Sequence, residues 1–242
     1  MSTLLLQCVA PLQAWGTQSN FTVRDTGREP SKSGIIGLLC AALGRPRTES
    51  VDDLASLKMG VRVDREGQIL RDFHTAGQGA ADPYKGYLQA NGKSVGKGTI
   101  ISNRYYLADA QFLVGLVGDK ELLKTLHAAL ANPKWMLFLG RKACPPSLPV
   151  YLPDGLKEEG LFKALEDYPW LGTLEHQYNR LNEKVRVVFD DDTGPQVRHD
   201  YPISFEKGKR QFAPRRVNTT FVNKPPFRPA QPLEVSDEQE AT

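Results

Sequence analysis

A few side chains in this sequence could together cleave RNA without a metal ion. Such cleavage needs a base for the 2′-hydroxyl, a cation for the developing negative charge and an acid for the leaving oxygen. His74, Tyr105 or Tyr106, and Lys142 are the candidates for these three roles. Nothing in their spacing brings them together, and single histidines are usually structural. We therefore expect no catalytic residues, and keep a metal-independent endoribonuclease as the alternative.

The sequence also offers little for a metal ion or a cofactor. Cys8, Cys40 and Cys144 are far apart and form no C-x-x-C pair, so we expect three reduced thiols in the core. A P-loop around residues 92–99 would need glycine where Tyr87 stands. The acidic run at residues 190–192 has no further calcium ligands and is interpreted as a polar turn. We expect neither a metal site nor a cofactor.

Positive charge is concentrated in the last third of the chain. The net charge is only +3, yet residues 205–228 hold seven basic side chains against one acid, Glu206. Such a cluster is typical of a protein that binds a polyanion, because neutralised phosphates release counterions. Arg215 and Arg216 are the members that we single out, next to a predicted strand.

Hydropathy gives an expectation about location. No apolar run approaches the roughly 20 residues that a membrane span needs, and residues 1–10 are too short and lack the basic start of a signal peptide. We expect a cytoplasmic protein without a membrane partner.

The hydrophobic pattern predicts an α+β protein. Strands are predicted where apolar residues alternate or form short runs, and helices where they recur every three to four residues. The predicted elements, in chain order, are a strand at 3–9, a helix capped by Ser33 and ended by Gly44, a hairpin of 59–64 and 68–74 around Glu66 and Gly67, a long strand at 104–117, a helix capped by Asp119, and a strand at 135–139.

This order predicts a ferredoxin-like βαββαβ domain, which RNA-recognition modules also use. We assign residues 1–150 to that domain, with an inserted thumb arm at residues 77–101. Residues 151–228 are predicted to form a smaller β-rich C-terminal subdomain, with a helix near 156–165 and strands at 184–189, 197–205 and 216–222. Residues 229–242 are predicted to be a flexible acidic tail.

Three stretches resemble one known family. They are residues 10–16 (APLQAWG) with 30–39 (PSKSGIIGLL), residues 101–110 (ISNRYYLADA), and residues 139–147 (LGRKACPPS). In this order they are similar to the CasD family, subunits of type I-E CRISPR Cascade complexes within the repeat-associated mysterious protein superfamily. The similarity covers most of residues 4–150 and is much less distinct afterwards.

The resemblance implies a function. Members of this family hold the 5′ handle of the crRNA, cap the filament of backbone subunits and touch the large subunit that recognises target DNA. The expected partners are therefore the crRNA, the backbone subunit, the large subunit and, through the assembled complex, target DNA. Cleavage of crRNA precursors is the alternative, because the corresponding subunit of a related subtype is an endoribonuclease. An unrelated basic RNA-binding protein is the third possibility.

The RNA-binding candidates are cations, aromatic rings and helix-start groups in or near these stretches. Lys32 and Ser33 could seat a phosphate at a helix start, and Tyr105 and Tyr106 could stack on bases. Small Gly140 could let RNA approach the backbone of Arg141 and Lys142. The complete set is Gln13, Trp15, Arg24, Lys32, Ser33, Lys85, Lys93, Lys97, Arg104, Tyr105, Tyr106, Arg141, Lys142, Arg215 and Arg216.

Overall fold

The computed structural model describes residues 2–19, 22–76, 87–88, 94–95 and 100–228. Strands outnumber helices in these residues. The strands are β1 (Thr3–Val9), β2 (Leu12–Gln13), β3 (Val23–Arg24), β4 (Lys58–Arg65), β5 (Gln68–Ala76), β6 (Tyr87–Leu88), β7 (Ser94–Val95), β8 (Ile100–Ala108), β9 (Gln111–Val117), β10 (Tyr151–Lys157), β11 (Lys184–Asp190), β12 (Gln196–Ser204) and β13 (Gln211–Asn223). The helices are α1 (Lys32–Leu43), α2 (Asp52–Ala55), α3 (Lys120–Ala131), α4 (Leu161–Asp167) and α5 (Glu175–Tyr178).

Seven strands form one sheet in the order β10-β1-β9-β4-β11-β13-β12. Every neighbouring pair in this sheet is antiparallel. Strands from both sides of residue 150 therefore belong to the same sheet, and the expected mixture of helices and antiparallel sheets is confirmed. The proposed division of the chain at residue 150 stays a prediction.

The central strands β1, β4 and β9 are buried on both faces of the sheet, and β1 and β9 carry apolar residues on both sides. Along β1, Leu4, Leu6 and Cys8 join the larger hydrophobic cluster with α1 and α3, whereas Leu5 joins the smaller cluster with α4. Side chains of a strand alternate between faces, so this division follows from the strand geometry. Cys8, Cys40 and Cys144 are free and buried, as predicted. Burial raises the pKa of the Cys40 thiol to about 11.

Helix α1 begins two residues earlier than predicted. Its N-cap is Ser31, whose hydroxyl accepts a hydrogen bond from the Gly34 amide at 3.3 Å. The prediction of Ser33 as the cap is therefore wrong, although the end of the helix at Gly44 is confirmed by the left-handed φ of 70° there. The predicted cap of α3, Asp119, accepts a hydrogen bond from the Leu122 amide at 2.9 Å and is confirmed.

The predicted hairpin around Glu66 and Gly67 is wrong, although both of its strands exist. β4 pairs with β9, and β5 pairs with β8. The predicted single strand at 104–117 is likewise two strands, because Asp109 adopts a φ of 56° and separates β8 from β9. Gly67 and Asp109 thus bend one long antiparallel pair, and its outer half belongs to a second sheet with β2 and β3.

The strand predicted at residues 135–139 is absent, since that part of the chain is irregular. β10 pairs with β1 instead and occupies the edge of the sheet. The predicted helix near 156–165 is shifted, because its first residues belong to β10 and the helix itself is α4. The three C-terminal strands are confirmed as β11, β12 and β13.

Most of the predicted thumb arm and all of the predicted acidic tail lie outside the described residues. The structure describes the origin of the arm, where Ala76 of β5 is paired with Ile100 of β8, and within the arm the antiparallel pairing of β6 with β7. Within the described ranges, no helix is both long enough and apolar enough to cross a membrane.

Candidate nucleic-acid interface

An open cleft of about 640 Å³ lies beside α1. Its floor is the small-residue side of that helix, with Gly34, Gly37 and Ala41 among the lining residues. These positions recur at three and four residues, so they share one helix face. A Cβ atom at Gly34 would meet the Trp15 ring at 2.8 Å, whereas one at Gly37 would lie 3.9 Å from Phe205.

The first wall is the irregular segment at residues 133–142, which follows α3. Two main-chain hydrogen bonds attach it to the end of α1: Lys134 donates to Ala42 at 2.9 Å and Trp135 donates to Ala41 at 3.1 Å. The wall presents large side chains to the cleft, and Trp135 is 50% exposed. These backbone bonds fix the start of the wall, and Leu137 and Leu139, buried in the larger hydrophobic cluster, hold the rest of it in place.

The second wall is the turn between β12 and β13. Phe205 and Phe212 face each other edge to face across this turn, with ring centroids 6.3 Å apart. Phe205 also approaches α1 at Gly37, where a Cβ atom would lie 3.9 Å from its ring. Arg210 adds a cation to this wall.

The cleft is electropositive. Its described lining contains five cationic residues and no aspartate or glutamate. Arg45 is neutralised by a bidentate ion pair with Asp53, with N–O distances of 2.5 and 2.8 Å, and these hydrogen bonds hold the pKa of Asp53 below its ordinary value. Arg47, Lys142 and Arg210 have no ion-pair partner among the residues described. The cleft therefore carries unbalanced positive charge.

Arg141 is a structural residue as much as a cleft residue. Its guanidinium donates to the carbonyl oxygens of Tyr105 at 3.0 Å, Arg24 at 2.9 Å and Asp25 at 2.8 Å. It also lies over the ring of Tyr106, 4.8 Å from the centroid. These contacts join the segment after α3 to β3 and β8.

Gly140, predicted to let RNA approach closely, has a different neighbour. Its φ is 92°, and a Cβ atom there would overlap the carbonyl oxygen of Ala14. Glycine is needed at this position because the protein's own backbone passes there. The prediction that Gly140 lets RNA approach closely is therefore wrong.

Gln13 and Trp15 are core residues, which corrects their assignment to RNA contact. Gln13 is 0% exposed and donates to the carbonyls of Cys8 at 3.1 Å and Ala110 at 2.8 Å. Its amide oxygen accepts the indole N–H of Trp15 at 3.0 Å. The Trp15 ring is 1% exposed and lies under α1 at Gly34. Neither side chain is accessible to an RNA.

Lys32 and Arg215 belong to a buried group of charges with Asp190 and Asp200, which we call the charge clasp. Lys32 pairs with Asp190 at 2.9 Å, and Arg215 pairs with Asp190 and with Asp200 at 2.7 Å. Burial lowers the pKa of Lys32, against the attraction of Asp190. Burial would also lower the pKa of Arg215, but its hydrogen bonds to Asp200 raise it.

The charge clasp also closes the start of α1. Asp200 accepts the backbone N–H of Lys32 at 2.8 Å, so a carboxylate of the protein stands where a phosphate was predicted. The prediction of a phosphate-binding site at Lys32 and Ser33 is therefore wrong. Ser33 itself is half-buried and lines the cleft.

The other predicted residues are more accessible. Arg24 and Arg216 are exposed, and Arg216 donates to the carbonyl of Gly194 at 3.0 Å. Arg104 and Tyr105 are half-buried on β8, whereas Tyr106 is 5% exposed, as the alternation of a strand requires for one of the two tyrosines. Lys85, Lys93 and Lys97 lie outside the described residues.

The three side chains that could cleave RNA do not converge. His74 is paired across the sheet with Ser102, whereas Tyr106 is paired with Leu70. Leu70 lies four residues before His74 on β5, so His74 and Tyr106 are separated by roughly 13 Å along the strand. Tyr105 points to the opposite face of this sheet from His74. The acidic neighbour of His74 is Asp72, at 3.5 Å. Among the described residues, no group of three or more His, Cys, Asp or Glu side chains could hold a metal ion.

Comparison with known proteins gives the family. The family described as CRISPR-associated protein (Cas_Cas5) matches residues 3–218. The chain belongs to this family. It is similar to the CRISPR system Cascade subunit CasD of Escherichia coli (strain K12), with 36% identity over 165 residues, which are 62% of this chain and 70% of that protein. The resemblance predicted from the sequence is confirmed.

Two solved structures resemble this CRISPR-associated protein along most of its length. One is described as the crystal structure of a Cas protein, with a TM-score of 0.73, 41% identity, and coverage of 94% of this chain and 100% of the other. The second belongs to a CRISPR RNA-guided surveillance complex, with a TM-score of 0.72, 32% identity, and coverage of 91% and 90%.

Sequence reasoning missed much of the cleft of this CRISPR-associated protein. The apolar run at residues 135–139 predicts a strand, which hides the exposure of Trp135, and Arg47 belongs to no motif. Phe212 lies inside the basic cluster at residues 205–228 but is not among the predicted site residues. An aromatic residue within a basic run is the pattern that could have identified this wall.

Proposed function

We propose that this chain is a non-catalytic crRNA-binding subunit of a type I-E-like Cascade complex in the cytoplasm. It holds the 5′ handle of the guide RNA and caps the filament of backbone subunits, in contact with the large subunit that engages target DNA. The family, the similarity to CasD and the likeness to a chain of a surveillance complex support this role.

The observation that carries the RNA-binding part is the electropositive cleft. Its lining has five cations and no carboxylate among the described residues, whereas the two cations of the charge clasp are balanced by two carboxylates. Unbalanced positive charge in a concave surface attracts a polyanion. The strand order β10-β1-β9-β4 fits the ferredoxin-like arrangement, which would place the cleft on the helix side of an RNA-binding unit.

The first test removes the three unpaired cations together, as Arg47→Gln, Lys142→Gln and Arg210→Gln. Each lost phosphate contact reduces the slope of log K against log salt concentration by about 0.7 for a single strand, so the slope should fall by about 2. Fluorescence anisotropy with a labelled single-stranded RNA at several salt concentrations measures it. The matched control removes three surface cations outside the cleft, Lys120, Lys124 and Lys163. Equal slopes for the two variants would contradict the proposal.

A second measurement separates binding from cleavage. The tagged chain is co-expressed with the other Cascade subunits and a CRISPR array, and the copurified RNA is analysed. Recovery of mature crRNA with partner subunits, together with an intact precursor after incubation with the pure chain in chelator, supports the binding role. Cleavage of the repeat by the pure chain, abolished by His74→Ala, would establish the endoribonuclease instead.

A further inference from the structure

We propose that the cleft takes an unpaired RNA base out of its stack and holds it against Trp135 and Phe212, while Arg47, Lys142 and Arg210 hold the neighbouring phosphates. This inference rests on the proposed RNA-binding function and adds to it the state of the RNA that the cleft accepts. The ligand class is a single strand with at least one exposed base.

The aromatic and apolar side chains of the cleft are unusually exposed. Trp135 is 50%, Met136 74% and Phe212 39% exposed, whereas the other two tryptophans, Trp15 and Trp170, are 1% and 4% exposed. Large exposed apolar groups that gather in one concave surface usually mark a binding site. The two walls of the cleft thus present flat, accessible rings.

The walls are held in place before any ligand arrives. Trp135 is positioned by the main-chain bonds from residues 134 and 135 to the last turn of α1, and Phe212 lies in β13 against Phe205. A ring that is fixed by its backbone loses little freedom when a base stacks on it. The volume of about 640 Å³ lies within the range that holds small-molecule-sized groups, such as a nucleotide.

Each wall carries cations close in sequence to its rings. Arg141 and Lys142 follow Trp135 and Phe138 on the first wall, and Arg210 precedes Phe212 on the second. A groove that combines positive charge with stacking rings is typical of single-stranded nucleic-acid sites, because every base has a flat face. An apolar protein partner would not need the surplus of cations, and the bases of a duplex are already stacked. The charge complementarity therefore favours a single-stranded RNA.

The fluorescence of Trp135 tests this inference directly, because it is the accessible tryptophan of the three. A single-stranded RNA of about eight nucleotides, within the range of known single-strand sites, is titrated into the full-length protein. Anisotropy of the labelled RNA and tryptophan emission are recorded in parallel. We expect quenching that follows the binding curve, disappears in Trp135→Phe and is absent with a duplex of the same sequence.

Affinity gives the second readout. Trp135→Ala and Phe212→Ala should each weaken binding between about 5-fold and 150-fold without changing the salt slope, since stacking releases no counterions. Phe221→Ala is the matched control, because Phe221 is 60% exposed on β13 but does not line the cleft, and its affinity should be unchanged. An oligonucleotide of the same length with abasic sugars should bind as weakly as the alanine variants.

The outcomes separate this inference from the function on which it rests. Salt-dependent binding without quenching, with unchanged affinity in Trp135→Ala, overturns stacking and leaves RNA binding intact. Absence of binding to any single strand overturns both. Quenching on addition of the other Cascade proteins, but not of RNA, would assign the cleft to a protein partner and overturn the inference. Far-ultraviolet circular dichroism of each variant checks that folding is retained.

Discussion

At the scale of single residues, the structure separates cations that can reach RNA from cations that support the fold. Arg141 illustrates the second kind, since its guanidinium binds three main-chain carbonyls and lies over Tyr106. Lys142, its neighbour, is exposed at the cleft and has no ion-pair partner in the described ranges. Two adjacent basic residues thus have different environments, which residue type alone does not reveal.

Arg141→Lys should destabilise the protein by about 1–3 kcal/mol. The charge is kept, but an ammonium group cannot bridge three carbonyls in the geometry of a planar guanidinium, and partly buried acceptors are left without donors. Denaturant unfolding measures the loss. Lys142→Arg is the control and should stay within about 0.5 kcal/mol, because that side chain is exposed. Equal stabilities for the two variants would show that the carbonyl contacts contribute nothing.

At the scale of elements, the charge clasp connects the start of α1 with β11, β12 and β13. Its two cations and two carboxylates come from four elements that are distant in sequence, and all four side chains are at least largely buried. The same helix forms the floor of the cleft, and the turn between β12 and β13 forms a wall. The clasp therefore holds α1 at a fixed distance from the β12–β13 turn. Its own four charges are paired with one another and do not line the cleft.

Arg215→Gln should cost about 3–5 kcal/mol of folding free energy, because Asp200 would keep a buried charge with only a backbone amide as its partner. In the folded fraction, the salt slope of RNA binding should equal that of the unmodified chain. Arg216→Gln, one residue further along the same strand and exposed, is the matched control for stability. A reduced salt slope in Arg215→Gln would mean that this arginine contacts phosphate after all.

At the scale of the whole molecule, the arm and the cleft arise from separate parts of the fold. The arm continues the β5–β8 pair, whose register runs without interruption to Ala76 and Ile100. The cleft depends on α1, the segment after α3 and the β12–β13 turn. No described residue of β5 or β8 is among those that line the cleft, so we expect the two to be separable by mutation.

Replacement of residues 77–99 by Asn-Gly should change the free energy of unfolding by less than about 1 kcal/mol, since a two-residue turn suits an antiparallel pair and loop length affects stability only weakly. RNA affinity of the isolated chain should persist, while the assembled complex should lose protection of the guide near its 5′ end. A glycine-serine replacement of equal length controls for the presence of a loop. Loss of folded protein would show instead that the arm belongs to the core.

Much of the architecture was accessible from the sequence because local patterns determine local structure. The buried run of β1, the capped helix α3 and the glycine that ends α1 each follow from neighbouring residues, and all three are confirmed. The family was accessible too, because its motifs are contiguous stretches of the chain. The pairing of the strands could not be predicted from the sequence. A glycine such as Gly67 occurs both where a pair of strands bends and where a hairpin turns, and the local sequence does not distinguish the two.

Only the tertiary structure decided which charged and aromatic residues are available to RNA. Lys32 and Arg215 have the residue types of phosphate ligands, yet carboxylates from other strands neutralise them. Trp15 and Trp135 are both tryptophans, yet one is 1% and the other 50% exposed. The reason is physical: composition and local spacing set which elements form, whereas burial and ion pairing depend on long-range contacts that a local pattern does not contain.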